Sequence, residues 1–464
     1  MIVRRFYDER LAQASYLIGC ERVGEGILID PARDVSPYLA AARQEHLRIT
    51  RVAETHIHAD FASGTRQLAA ETGAVPHLSA EGGPDWQYQF ATADGAVLLH
   101  DGDTIVFGGV RLDLLHTPGH TPEHLAFIVT DLSRSNEPVA ILSGDFLFVG
   151  DVGRPDLLER AAGVADSKRA AARALFKSLR RMESFPDYLQ VWPGHGAGSA
   201  CGKALGSLPS STLGYERRTS WAFAATDEAA FVESVLEGQS EPPIYFAEMK
   251  RLNRAGPPIL SLAELPILGP DAFGPIGANG FLLDVRPGNA FAEEHLEGWL
   301  NIPLSRAFTK WAGWLVPYDR DVYLLASDPA AGADARAALA SIGLDRVKGV
   351  FGPDLIATAR QRGSAISAQR VPMAEVKTLQ QRGVVVVDVR DPDEWDAGHL
   401  DGAKHHPLGT LPRAMASVDR STPVAVHCAG GSRSGIGASM LEQMGFRNVT
   451  DLTGGWSAWN GIDG

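Results

Sequence analysis

Short apolar runs closed by Gly and Asp recur along the first half of the chain. Their spacing predicts strands at residues 26–30, 51–55, 110–115, 125–129, 139–142 and 189–192. Ser63–Glu71 and Ser167–Arg181 carry helical periodicity, and Gly73 ends the first of them. Strands interspersed with helices predict a layered α/β architecture. The Gln239-Ser240-Glu241-Pro242-Pro243 stretch reads as the exit from this unit.

The second half repeats itself. Phe281-Leu282-Leu283-Asp284-Val285-Arg286 resembles Val385-Val386-Val387-Asp388-Val389-Arg390 at an offset of 104 residues (284 to 388). His295-Leu296-Glu297-Gly298 matches His399-Leu400-Asp401-Gly402 at the same offset, which later settles at 102 (352 to 454). Two copies of about 100 residues fit two sequential domains better than a solenoid, which needs more and shorter repeats. The strand–loop–helix order within each copy predicts a parallel sheet with helices on its faces. A polar Arg/Ser/Gln stretch at 360–370 links the copies.

Bulk properties narrow the function classes. A chain of 464 residues is expected to hold two to four domains. Hydrophobic content of 45% with 21% charged residues is that of a soluble globular protein. The net charge of −13 argues against a nucleic-acid binder, which needs clustered cations. No run of about 18 apolar residues suggests a membrane span. The first 24 residues lack the apolar core of a signal peptide. Three cysteines, Cys20, Cys201 and Cys428, predict free thiols in a reducing compartment, the cytoplasm. Cys20 has no surrounding motif and reads as core. The pattern is compatible with a homo-oligomer.

Candidate chemistry sits at the strand ends. Thr55-His56-Ile57-His58-Ala59-Asp60-Phe61, His116-Thr117-Pro118-Gly119-His120, Ser143-Gly144-Asp145 and Trp192-Pro193-Gly194-His195 each follow a predicted strand. Gly-containing loops on a rigid scaffold can aim such side chains into one cleft. His116, His46, His77 and His100 stand outside this register and read as structural. In the last repeat, Val424-Ala425-Val426-His427-Cys428-Ala429-Gly430-Gly431-Ser432-Arg433 is a strand, a loop from Cys to Arg, and the start of a helix. Successive backbone N–H groups, the helix N-terminus and Arg433 would all favour a thiolate at Cys428. In the first repeat, Ala326 and Ala331 stand where Cys428 and Arg433 stand in the second.

The ordered histidine and aspartate loops resemble the metallo-β-lactamase superfamily over roughly residues 1–235, although Phe61 replaces the last histidine of H-x-H-x-D-H. In dinuclear members the second metal uses the positions of Asp60, Phe61 and His195, with that of Asp145 bridging, so the resemblance implies a broken second site. A mononuclear branch of the superfamily, the persulfide dioxygenases, implies one Fe(II) held by His56, His120 and Asp145. Such a two-His, one-carboxylate set leaves neighbouring positions open for substrate and O2. His58, Asp60 and His195 would then orient ligands or handle protons. The same resemblance implies Arg154 and Arg218 as holders of a thiol carrier. Cys201, in a glycine-rich loop after His195, is a candidate to touch substrate.

The Cys428 loop resembles the rhodanese active-site loop, together with Asp388-Val389-Arg390, Gly398-His399-Leu400 and Gly454-Gly455-Trp456. The implied α/β architecture is an N-terminal metallo-β-lactamase αβ/βα sandwich (1–243), a rhodanese-like domain without its nucleophile (258–362) and a catalytic rhodanese domain (370–464). The implied activity oxidises a low-molecular-weight persulfide with O2 to sulfite and thiol. Cys428 and Arg433 would interconvert persulfide and sulfite with thiosulfate. The thiol carrier (glutathione, coenzyme A or bacillithiol) is open. The competing reading is a zinc thioester hydrolase of the glyoxalase II kind with a fused sulfur-transfer module.

Overall fold

The computed structural model describes residues 1–157, 167–203, 205–239, 241–260 and 264–459. Ser240, inside the expected exit segment, and residues 460–464, at the end of the last expected domain, lie outside the described residues. Two compact units emerge: Met1–Ser261 with Ala340–Gly343, and Leu262–Leu339 with Leu344–Gly464. Among the described residues, no helix is long and apolar enough to cross a membrane.

The first unit is built from two six-stranded sheets. One holds β1 (Ile2–Asp8), β2 (Gln13–Cys20), β3 (Glu25–Ile29), β4 (Arg48–Ala53), β5 (Val75–Ser79) and β6 (Val97–Leu99) in sequence order. The other runs β12 (Ser211–Thr212), β11 (Gln190–Pro193), β10 (Ala140–Gly144), β9 (Leu125–Asp131), β8 (Val110–His116), β7 (Thr104–Phe107). Strand alternation sorts the side chains into layers. On β2, Tyr16, Ile18 and Cys20 face the core shared by both sheets with Leu112, Phe127 and Leu142. Leu17 points the other way, into a cluster with Leu28 and Val52 that Tyr38, Ala42 and Leu68 of two helices cover. The helix Ser167–Arg181 covers the outer face of the second sheet with Leu175, Phe176 and Leu179. Each such burial stabilises by about 1.5–3 kcal/mol. The result is the expected αβ/βα sandwich.

The first unit does not stop at the Gln239–Pro243 exit. It includes the helix Tyr245–Ala255, whose Tyr245, Phe246, Met249 and Asn253 are buried. The alternation at 51–55 also reads differently in the fold: β4 ends at Ala53, because Thr55 turns out of the sheet to meet Asp30.

The second unit shows the repeat as two parallel sheets of the same design. One is β13 (Ile267–Leu268), β18 (Val347–Phe351), β17 (Val322–Leu325), β14 (Phe281–Asp284), β16 (Leu300–Asn301). The other is β20 (Gln369–Pro372), β24 (Val449–Thr453), β23 (Val424–His427), β21 (Val385–Asp388), β22 (Lys404–His405). Asp284 is chelated by Arg286 at 2.6–3.0 Å, and Asp388 by Arg390 at 2.7–3.0 Å, both pairs buried. In each copy the arginine also donates to backbone carbonyls beyond the strand end, so the pair ties the strand to the following loop. Trp299 and Trp311 are buried, Trp299 in the core of the first copy, while Trp314 lies against Gly409 of the second. Ser439 Oγ accepts from Asn301 N at 3.0 Å and joins the copies.

Candidate metal centre and cysteine loop

The loops after β4, β8, β10 and β11 deliver His56, His120, Asp145 and His195, each at most 2% exposed. Donor atoms of His56, His120 and Asp145 all lie within 4.8 Å of one another. Asp145 Oδ2 is 3.4 Å from His120 Nε2 and 3.9 Å from His56 Nε2.

The hydrogen bonds behind these rings decide what the pocket sees. His120 Nδ1 donates to Arg154 O at 3.1 Å. Thr55 Oγ1 donates to Asp30 Oδ2 at 2.9 Å and so accepts from His56 Nδ1, also at 2.9 Å. Both rings therefore turn an Nε2 lone pair inward. They face a carboxylate whose two oxygens have no hydrogen-bond partner. Buried lone pairs opposed to a buried carboxylate are unfavourable without a cation among them. These residues fit a metal ion on that ground. Burial pushes the His56 imidazole well below its ordinary value, and the surrounding imidazoles add to this. Burial likewise lowers His120, against the pull of Asp145. Burial opposes ionisation of Asp145, but His195 and His120 hold its carboxyl below the usual range. The protonation pattern is the one ligation requires: neutral imidazoles and an ionised carboxylate.

His58 turns away from this pocket. Its Nε2 meets Asp30 Oδ1 at 3.1 Å. Burial would depress its pKa, yet Asp30 and Glu54 outweigh that and raise it to about 9. Asp30 thus carries both His58 and the Thr55 that orients His56. Phe61 is fully buried with its ring 4.3 Å from that of His58, so it packs behind the loop. His195 Nδ1 donates to Ala12 O at 3.0 Å, leaving Nε2 at 3.2 Å from Asp60 Oδ2 and 3.5 Å from Asp145 Oδ1. Cys201 joins Asp60 and His195 in a second group with donor atoms within 4.8 Å. Burial, then Asp60 and Asp145, push its thiol well above the ordinary value.

The two arginines expected to hold a thiol carrier stand in different surroundings. Arg154 is 1% exposed and chelated by Asp156 at 2.8 and 2.7 Å, with a third bond to Ala200 O at 3.3 Å. Its guanidinium is committed within the protein, and its carbonyl is what serves the pocket. Arg218 lies exposed on the helix Leu213–Thr219.

Sequence patterns missed several supporting residues. His124 is buried between Thr117 Oγ1, at 2.8 Å from Nδ1, and the Asp145 N–H, at 3.1 Å from Nε2. Burial lowers its pKa to about 3. Asn253 accepts from Ser63 N and donates to the His58 and Phe61 carbonyls, at 2.7–2.8 Å, clamping the loop. It stands nearly 200 residues from that loop, and only the fold brings it there.

In the second unit, β23 delivers Cys428 into the turn before the helix Ser432–Gln443. Gly431 N donates to Cys428 Sγ at 3.1 Å. Trp456 N and Ser457 N hold the Cys428 and Ala429 carbonyls at 2.8 and 3.0 Å. Gly455 has φ +56°, and a Cβ there would lie 2.2 Å from Cys428 O, so the turn needs glycine. Arg433, expected to favour the Cys428 thiolate, interacts electrostatically with Cys428 and also pairs with two carboxylates. Its fork is spent on Glu394 at 2.5 and 2.6 Å and on Asp391 at 3.3 Å. It braces the rim of the loop, with much of its charge neutralised. Ala326 and Ala331 occupy the matching loop of the first copy, which offers neither thiol nor cation there.

The metallo-beta-lactamase superfamily model matches residues 8–195, and the rhodanese-like domain model matches residues 373–461. A crystal structure of a metallo-beta-lactamase from Staphylococcus aureus subsp. aureus COL superposes with a TM-score of 0.68 at 40% identity. The match covers 76% of this chain and 98% of that one. The mitochondrial persulfide dioxygenase of Homo sapiens is 28% identical over 197 residues, covering 42% of this chain and 68% of its own. A hydroxyacylglutathione hydrolase of Polaromonas sp. is 34% identical over 200 residues, covering 42% of this chain and 66% of its own. The thiosulfate sulfurtransferase GlpE of Pseudomonas aeruginosa is 33% identical over 94 residues, 20% of this chain and 86% of its own. With its αβ/βα sandwich, its strand-end histidine loops and its cradled Cys428, the chain belongs to the metallo-beta-lactamase superfamily and carries a C-terminal rhodanese-like domain.

Proposed function

We propose that this chain is a mononuclear-iron persulfide dioxygenase fused to a sulfurtransferase, with an intervening rhodanese-like domain that lost its nucleophile at Ala326. One observation carries the reading. A buried group of two inward-facing imidazole lone pairs and one unpartnered carboxylate shares the chain with a cysteine loop built to hold sulfur. His56, His120 and Asp145 would hold Fe(II), which would supply the redox chemistry that joins O2 to a persulfide sulfur.

The chain's own residues do the rest. Thr55 and the Arg154 carbonyl fix the two ring tautomers, and the His124 ring accepts from the Asp145 N–H. Phe148, fully buried with its ring 6.2 Å from that of His195, helps keep bulk water away from that side of the pocket. One persulfide, one O2 and one water become the thiol and sulfite, with release of two protons. In the second unit, the Cys428 thiolate attacks the outer sulfur of a second persulfide; that molecule's S–S bond breaks, its thiol leaves, and Cys428 carries a persulfide. Sulfite attacks that outer sulfur, the S–S bond breaks, thiosulfate leaves, and the thiolate returns. The Gly431 N–H and the N-terminus of Ser432–Gln443 stabilise the anionic sulfur in both states.

Resemblance to the hydroxyacylglutathione hydrolase favours a second reading, a zinc thioester hydrolase with a fused sulfur-transfer module. Metal analysis with an oxygen electrode separates the two. Iron-loaded protein given a panel of persulfides is expected to consume O2, and His56→Ala to lose all uptake. No uptake with any persulfide, together with thioester hydrolysis by the zinc form, would overturn the dioxygenase.

A further inference from the structure

We propose that the cavity beside the cysteine loop selects a low-molecular-weight thiol that carries an ammonium group, and that Asp328 of the nucleophile-free copy reads that charge. The inference rests on the sulfurtransferase reading of Cys428 and is independent of the metal group.

Within the second unit, a cavity of about 620 Å³ is lined by Gly431 and Ser432 of the cysteine loop and by Asn301 and Asp328 of the first copy. The Cys428 sulfur lies directly behind that lining, because Gly431 N donates to it at 3.1 Å. Cavities of about 300–1,000 Å³ take whole small-molecule ligands. A sulfite or thiosulfate ion fills only part of this one, which leaves room for the carrier that brings or takes the sulfur.

The lining is unevenly charged. Its ionisable side chains are Asp328, Arg370 and Asp451. Arg370 Nε and Asp451 Oδ2 stand 3.2 Å apart and offset each other, so Asp328 is the unbalanced charge. Asp328 Oδ1 accepts from Ala331 N at 2.9 Å, which fixes the carboxylate and leaves Oδ2 for a ligand. Asn301 adds a second acceptor. It is 2% exposed, and its side-chain amide donates to the Asp284 and Arg286 carbonyls, both at 3.0 Å. The atom it has left for a ligand is Oδ1, which accepts and cannot donate. Two acceptors with a net negative charge suit an ammonium group. The same charge repels a carrier rich in phosphates.

The other pole of the cavity is the cysteine loop. The Gly431 N–H and the N-terminus of Ser432–Gln443 favour anionic sulfur. A thiolate with an ammonium group a few bonds away matches both poles. In the transfer step this thiolate attacks the outer sulfur of the Cys428 persulfide. The S–S bond of that persulfide breaks, Cys428 leaves as a thiolate, and the ligand departs as its own persulfide. The reverse step loads Cys428.

Acceptor selectivity tests the assignment. Sulfur transfer from thiosulfate is measured with the full-length protein at one pH, with cysteamine and mercaptoethanol as acceptors. The two differ by an ammonium group in place of a hydroxyl. The cysteamine-to-mercaptoethanol ratio of kcat/KM is expected to fall about fivefold in Asp328→Asn, the loss of one partly exposed ion pair. Asparagine retains the bond to Ala331 N, so the fold survives the exchange. Asp328→Lys is expected to lower the ratio further and to raise kcat/KM for mercaptopropionate, whose carboxylate stands where cysteamine has its ammonium. Added salt is expected to lower the ratio in the wild type and not in Asp328→Asn. Ratios equal to wild type in both variants overturn the inference and leave sulfur transfer standing. No transfer to any acceptor, cyanide included, overturns the sulfurtransferase reading and this inference with it.

Discussion

Thr55 shows how much of this protein's chemistry rests on single hydrogen bonds. Its hydroxyl donates a hydrogen bond to Asp30 and accepts one from His56 Nδ1, which turns the His56 Nε2 lone pair into the pocket. Thr55→Val keeps the shape and removes that relay. It is expected to weaken metal affinity by about 10–100-fold, read by competition against a chelator. Glu123 offers a pH test. Burial lifts its pKa to about 7, although Ile57 N donates to it at 2.7 Å. The folded state then holds a proton between pH 4.5, the ordinary value, and about 7 that the unfolded chain has released. Stability from this group is present at low pH and is lost as pH rises through that window. The loss is on the order of 3 kcal/mol. Glu123→Gln is expected to remove this slope from chemical denaturation curves measured across the window. An unchanged slope would place the proton elsewhere.

At the scale of elements, strand ends and glycine turns set the precision of both sites. Gly153 packs so tightly that a Cβ would stand 1.9 Å from Asp145 O, so the turn that carries the Arg154 carbonyl to His120 admits no side chain. Gly455 does the same under Cys428. Gly455→Ala must move the Cys428 carbonyl and also pays for a left-handed φ. A stability loss of about 1–3 kcal/mol is expected in denaturant unfolding. Loss of sulfur transfer with unchanged oxygen uptake should accompany it. The strand-end loops were legible because each interrupts an apolar run with a His- or Asp-bearing Gly turn. The Asn253 clamp was not, because a lone Asn on an amphipathic helix has no local signature. The bracing of Arg433 was equally hidden. The Asp391–Glu394 capping helix that captures it lies about 40 residues earlier in sequence, and pairing across that gap follows from the fold alone.

At the scale of the whole molecule, the candidate metal group and the cysteine loop stand on separate compact units. Removing metal with a chelator is expected to abolish oxygen uptake while Cys428 still transfers sulfur between thiosulfate and a thiol acceptor. Cys428→Ser should show the reverse, keeping sulfite production and losing thiosulfate formation. Loss of both activities in either experiment would contradict this separation. The amino-acid sequence by itself determined the sandwich, the repeat and the residues at the strand ends. These follow from local periodicity, turn chemistry and an ordered motif, all of which act over a few residues. Tertiary structure decided which groups face each other. It closed Arg154 onto Asp156, turned Phe61 against His58, and set Cys201 beside Asp60 and His195. Partner choice among buried charges depends on distances that no local pattern encodes, because each charge takes whichever neighbour the packed chain places within hydrogen-bond or ligand reach.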